Sequence, residues 1–178
     1  RTKIGSPFVI AGMEQALDAD PTAAVVGFEA NGGFLLGFNA QASAGPLPPL
    51  MTRDCLLPII APLAMARAQG KTLCEAWDAL PSVFTAADRL QGIETEKSKA
   101  FLAELSSSAE ARTVFLGQPE TVLDATDGLR MTLSDGRVVH LRPSGNAPEF
   151  RCYAEAQTRD AATALMRETL EKVKGRLG

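Results

Sequence analysis

The run Arg142-Pro143-Ser144-Gly145-Asn146-Ala147-Pro148-Glu149-Phe150-Arg151 gathers the residue types that hold an oxyanion. Gly145 frees the backbone so that successive N–H groups can converge on one anion. Ser144 and Asn146 add side-chain donors, and Arg142 and Arg151 add charge in a fork geometry that matches phosphate. Pro143 and Pro148 restrict the loop. The same composition also suits an ordinary hairpin connection with two solvated arginines. Other chemistry-bearing residues are more scattered. His140 alternates with Val139 and Leu141 on an expected strand and reads as a structural histidine. Asp18 and Asp20 read as a solvated turn at a helix end, short of a third carboxylate for a cation. Arg53 and Asp54 read as capping and ion-pairing residues at a helix start.

The elements that must position these residues follow from periodicity. Residues 7 to 19 carry apolar side chains at helical spacing, at Phe8, Val9, Met13, Ala16 and Leu17. Residues 23 to 29 and 34 to 38 read as strands around a glycine-rich turn, which presents Glu29 and Asn31 at a strand end. A loop is expected over 41 to 49, then a helix from Thr52, its cap, to about Gln69, a short helix over 73 to 80, and a connector from Pro81 to Thr95. Residues 96 to 112 are helical in period. Strands are expected over 121 to 123, 129 to 133, 138 to 141 and 151 to 156, with Asp127-Gly128 and Asp135-Gly136 as hairpin turns. An amphipathic helix over 158 to 177 closes the chain, giving a small antiparallel sheet covered by helices.

Composition narrows the function classes. The chain of 178 residues is 46% apolar and 22% charged, ordinary for a globular protein. A formal charge of −3 argues against general nucleic-acid binding, which needs a basic face to displace counterions. Any phosphate site must be local. Cys55, Cys74 and Cys152 are odd in number and lack metal-ligand spacing, as expected of reduced thiols in a cytoplasmic protein. No apolar run reaches the roughly 18 residues of a membrane span. The chain opens Arg1-Thr2-Lys3-Ile4-Gly5 without a methionine, so a fragment of a longer protein is expected.

Three segments in order, Gly27-Phe28-Glu29-Ala30-Asn31-Gly32-Gly33, Thr52-Arg53-Asp54-Cys55-Leu56-Leu57-Pro58 and the run from 142 to 151, resemble the C-terminal half of the α-D-phosphohexomutase family. The resemblance implies an α/β partial domain 3 with a mixed sheet and helices over 1–88, a linker and hinge over 89–95, and an α+β domain 4 over 96–178. It also implies a whole protein that interconverts hexose 1-phosphate and hexose 6-phosphate through a phosphoserine and a bisphosphate intermediate. Phosphate would then fall to Arg142, Ser144, Gly145, Asn146 and Arg151, and sugar hydroxyls to Glu29, Asn31 and Lys3. A carboxylate such as Glu29 can accept from two adjacent hydroxyls, and Gly27, Gly32 and Gly33 would let a substrate approach the backbone.

The chain departs from the family's pattern in two places. Asn146 and Ala147 stand where the family places hydroxyl and acidic residues, and Asn31 with Gly33 stands where it places Ser and the neighbourhood of a His. Mg2+ and hexose 1,6-bisphosphate are implied for the whole protein, with none held by residues of this chain. The serine loop and the aspartate-rich metal loop are not in this sequence, so the chain alone is expected to be inactive. Its partners would be the phosphosugar substrate and domains 1 and 2 of the same protein, with no nucleic acid or membrane. A dimer through exposed apolar surface is a further expectation. Mannose phosphate is the favoured substrate. A phosphoglucosamine mutase fragment and a non-catalytic phosphosugar-binding module remain as alternatives.

Overall fold

The computed structural model describes the chain except residues 30, 31, 43, 145 and 146. Asn31, Gly145 and Asn146, three of the expected site residues, therefore lie outside the described residues. The chain divides into two compact units, Arg1–Pro81 and Ser82–Gly178.

The first unit opens with α1 (Ser6–Ala19), which begins with a proline in its first turn. Proline suits that position because its missing N–H would have no intrahelical partner. Val9 and Met13, one turn apart, turn inward with Leu35 to make a small core. β1 (Val26–Phe28), β2 (Phe34–Leu36) and β5 (Leu50–Asp54) form a sheet in the order β1-β2-β5. Gly27 lies within β1, and a Cβ there would collide with the side chains of Val9 and Met13. Its role is to admit the helix against the strand.

Two expectations change between 40 and 57. The expected loop carries a two-stranded hairpin, β3 (Ala40–Ala42) with β4 (Gly45–Leu47). Thr52 lies in strand β5, and α2 (Leu57–Ala68) starts later. Asp54 performs the capping expected of Thr52: its carboxylate accepts from the N–H groups of Leu56 and Leu57, at 2.8 and 3.1 Å. α3 (Leu73–Asp78) follows, with a reciprocal capping box between Thr72 and Glu75.

The second unit is a five-stranded antiparallel sheet in the order β6-β10-β9-β8-β7. β6 (Phe84–Gln91) occupies much of the expected connector and the first three residues of the 89–95 linker. It pairs along its whole length with β10 (Glu149–Ala156). A linker is expected over 89–95; the compact units divide at Pro81, and backbone hydrogen bonding joins residues 84 to 91 to the second unit's sheet. β7 (Glu120–Asp124), β8 (Leu129–Leu133) and β9 (Val138–Pro143) complete it. At the β8–β9 turn, Gly136 has φ 83° and its N–H donates to Leu133 at 3.0 Å, as the Asp-Gly signal requires.

The expected helix over 96 to 112 is two helices, α4 (Thr95–Ser107) and α5 (Ala109–Leu116). Ser108 leaves helical geometry between them, and its hydroxyl accepts from Ala111 N–H at 3.0 Å, starting a new helix. α6 (Arg159–Leu177) is capped by Thr158 and buries Ala162, Leu165, Met166, Thr169, Leu170, Val173 and Leu177, one stripe at helical spacing. That stripe and Phe101, Leu102 and Leu105 of α4 pack with Met131, Val139, Leu141, Phe150, Cys152 and Ala154 from the sheet. Strand residues alternate, so Arg130, His140, Arg142, Arg151, Tyr153 and Glu155 are left partly exposed on the other face. Among the described residues no helix is long and apolar enough to cross a membrane.

Candidate functional site

The anion candidates sit where β9 hands over to β10. These strands run antiparallel with Arg142 directly opposite Arg151 and Pro143 opposite Phe150. Alternation turns Phe150 into the core and both arginines to the opposite face. The loop is closed at its neck by the Ser144 N–H, which donates to the Glu149 carbonyl at 2.8 Å. A second tie comes from outside it, where Ile93 N–H donates to the Pro148 carbonyl at 3.1 Å. Ser144 is itself buried. Backbone pairing thus fixes the two ends of the loop, and ends fixed in advance reduce the ordering cost of a bound ligand.

Carboxylates orient the arginines. Arg142 Nε lies 2.8 Å from Asp127 Oδ2, with both side chains mostly buried. Such a bond through Nε fixes the plane of the guanidinium, whose two terminal nitrogens form the rest of the fork. Gly128, next to Asp127, has φ 77°, and a Cβ there would run into the Leu141 carbonyl and stand 3.1 Å from Arg142 Cα. Glycine is required for that close approach. Arg151 Nη2 lies 3.3 Å from Glu149 Oε2. Hydrogen bonding to Tyr153, and then to Glu149, holds the Arg151 guanidinium above its ordinary value, so it stays charged. His140 Nε2 lies 2.6 Å from the Asp127 carbonyl and its ring packs on Tyr153 at 5.5 Å, a structural placement beside the arginines.

The sugar candidates belong to the first unit. Glu29 follows β1; its N–H donates to the Gly33 carbonyl at 2.9 Å and Gly32 N–H donates to the Glu29 carbonyl at 3.0 Å. Gly32 has φ 88°, a conformation that favours glycine. Ser6, the first residue of α1, donates its hydroxyl to Glu29 Oε2 at 3.0 Å. The carboxylate is thereby held at the positive end of the α1 dipole. Lys3 is exposed, and its Nζ stands 5.9 Å from the centre of the Phe8 ring. Glu29 and Lys3 thus both lie around the start of α1.

Sequence reasoning missed Asp127, Glu149 and Arg89 as partners of these groups. Glu149 was inside the anion run, and its place two residues before Arg151 on one strand face was the signal. Arg89 was hidden by the connector reading. Among the described residues, no three His, Cys, Asp or Glu side chains gather into a metal-holding group.

Comparison with known proteins decides the lineage. The profile of the phosphoglucomutase/phosphomannomutase alpha/beta/alpha domain III matches residues 1–84, and that of the C-terminal domain of the same enzymes matches residues 77–172. The chain belongs to the phosphoglucomutase/phosphomannomutase family. Within that family it is 43% identical over 173 residues to a phosphomannomutase from Sinorhizobium fredii, covering 96% of this chain and 36% of the relative. It is 40% identical over 181 residues to a phosphomannomutase from Salmonella muenchen, covering 100% of this chain and 37% of the relative. A crystal structure of a phosphoglucomutase/phosphomannomutase family protein from Burkholderia thailandensis shares the fold with a TM-score of 0.64 at 18% identity, over 98% of this chain and 32% of that one. The chain spans little more than a third of the length of the curated relatives it matches. In family terms, its first unit answers to domain III and its second to the C-terminal domain.

Proposed function

We propose that the whole protein interconverts hexose 1-phosphate and hexose 6-phosphate, with mannose phosphate as the preferred substrate. In this reading the present chain grips the substrate at the ends that do not react. The observation that carries it is the directly opposed Arg142–Arg151 pair at the neck of a loop closed by backbone hydrogen bonds. Two guanidiniums fixed from behind by carboxylates present converging donors to one anion, and the phosphate not being transferred is such an anion. Ser144, Gly145 and Asn146 supply the remaining donors. Glu29, Asn31 and Lys3 hold sugar hydroxyls from the first unit. Identity of 40 to 43% with two phosphomannomutases supports mannose over glucose or glucosamine.

The chemical step belongs to the rest of the protein, where the family implies a phosphoserine, magnesium and a bisphosphate intermediate. The described residues offer no donor set for that metal, so no step runs through it here. What this chain contributes is orientation, which converts bound phosphosugar into a substrate correctly placed for transfer. By itself it binds without turnover. A cytoplasmic location fits three cysteines that form no disulfide.

The test is Arg142→Ala in the full-length protein, assayed with mannose 1-phosphate and glucose 1-phosphate. The expected result is a fall in kcat/KM of roughly a hundredfold for both, carried largely by KM, because a charged bidentate contact is lost. Unchanged kcat/KM would remove the phosphate site from this loop. A preference for glucose 1-phosphate in the unaltered protein would overturn the choice of mannose.

A further inference from the structure

Arg89 stands directly opposite Arg151 in the β6–β10 pairing, and Arg151 stands directly opposite Arg142 in the β10–β9 pairing. Three guanidinium-bearing residues thus form one row across three adjacent strands, at the end of the sheet that carries the anion loop. Like charges placed directly opposite on a sheet oppose each other, so such a row needs negative charge to hold it. Glu149 supplies part of it. Its Oε1 lies 3.2 Å from Arg89 Nε and its Oε2 lies 3.3 Å from Arg151 Nη2, so one carboxylate ties two strands' arginines side by side. Asp127 holds the third arginine. These pairs set two carboxylates against three guanidiniums, an arrangement suited to a further anion.

Exposure grades along the row. The side chain of Arg142 is 18% exposed, that of Arg151 36% and that of Arg89 52%. Arg142 and Arg151 are therefore anchored within the sheet, whereas Arg89 is on an edge strand with room to turn from Glu149 toward a ligand. The Arg89 end of this pair is half in solvent while Glu149 is 13% exposed, and Glu149 keeps Arg151 as a partner when Arg89 turns away, so the exchange leaves no carboxylate stranded.

We propose that Arg89 is a third phosphate-binding arginine, which closes on a phosphate monoester from the edge strand while Glu149 keeps it parked beside Arg151. The inference rests on the phosphate reading of the 142 to 151 loop and extends it to a strand outside that loop. Arg89 gives the site a third charged fork, favouring a doubly charged phosphate monoester over a singly charged diester.

The experiment is calorimetric titration of the 178-residue chain with inorganic phosphate and mannose 1-phosphate at fixed ionic strength. The unaltered chain is compared with Arg89→Gln, Arg89→Lys, Arg142→Ala and Arg130→Gln, with circular dichroism to check folding. Arg130 lies on the same face but pairs with Glu155, and its replacement makes the same change in net charge as Arg89→Gln. The inference expects Arg89→Gln to weaken binding roughly five- to tenfold, Arg89→Lys to recover part of the loss, and Arg130→Gln to match the unaltered chain. Equal weakening by Arg89→Gln and Arg130→Gln would reduce Arg89 to a diffuse charge and overturn the inference. Loss of binding in Arg142→Ala with full binding in Arg89→Gln would leave the loop reading intact and overturn Arg89 alone. No saturable binding in the unaltered chain, or undiminished binding in Arg142→Ala, would overturn both.

Discussion

In the second unit Phe150, Val139 and Leu141 are fully buried between the sheet and helices α4 and α6, whereas in the first unit Ile59, Ile60, Leu63 and Met65 of helix α2 remain largely exposed. An apolar groove of about 650 Å³ runs beside α2, lined by Phe34, Leu36, Leu47, Leu50, Leu57 and Ile60. Both units are rich in apolar side chains, yet one converts them into a core and the other leaves many uncovered by the rest of this chain. The difference teaches that apolar content does not measure stability; what counts is how much apolar area neighbouring elements cover. It also separates two kinds of candidate site. The arginines of the second unit rest on a packed sheet, whereas Glu29 is held by the Ser6 hydroxyl in a unit whose buried core is small.

Substitutions in the two units should differ sharply in cost. Phe150→Ala removes a fully buried ring that packs against Phe101, and it should destabilise the second unit by about 3–5 kcal/mol, measured by chemical denaturation. A loss below about 1 kcal/mol would show that this core is less well packed than its burial implies. Gly128→Ala combines a positive φ with a collision against β9, and should cost roughly 1–3 kcal/mol while weakening phosphate binding through Arg142. Retained stability with undiminished phosphate binding would break the link between that close approach and the site.

Thiol chemistry sharpens the same contrast with a smaller effect. Cys55 and Cys74 are exposed and Cys152 is buried, so a thiol reagent should label two of the three in the native chain and the third only in denaturant. Burial pushes the Cys152 thiol up from 9.0 to about 12. The folded state thus holds the neutral thiol more firmly than the unfolded state does. This contribution to stability is complete below pH 9.0 and is lost as pH rises toward about 12. Rapid native labelling of all three cysteines would contradict the burial. The smallest effect belongs to Ile60→Ser, which removes a 57% exposed side chain and should change stability by about 0.5 kcal/mol or less, against several for Phe150→Ala.

Much of this architecture was legible because local signals agreed with the final fold. The Asp-Gly pairs fixed the turns around β8, and the stripe from Ala162 to Leu177 fixed α6. Strand β6 was obscured because Asp88 interrupts the inward alternation of Phe84, Ala86 and Leu90, a substitution an edge strand tolerates. The break at Ser108 was obscured because apolar periodicity continues across it, although three consecutive serines offered a cap. At the candidate site, residue type pointed to Arg142, Arg151 and Glu29. Asp127 was not legible behind Arg142, since it reaches that arginine only through the fold, whereas Glu149 shares a strand face with Arg151 two residues on and could have been read from alternation. Arg89 needed the register of a strand that the sequence concealed.

The central claim is that phosphate recognition resides in the second unit, at the end of the sheet shared by β6, β10 and β9. The most direct measurement is an amide-resolved NMR titration of the whole chain with inorganic phosphate. The account predicts saturable shifts at Ser144, Arg151 and their neighbours, with resonances of Arg1–Pro81 unmoved. Shifts confined to the first unit, or none that saturate, would contradict it.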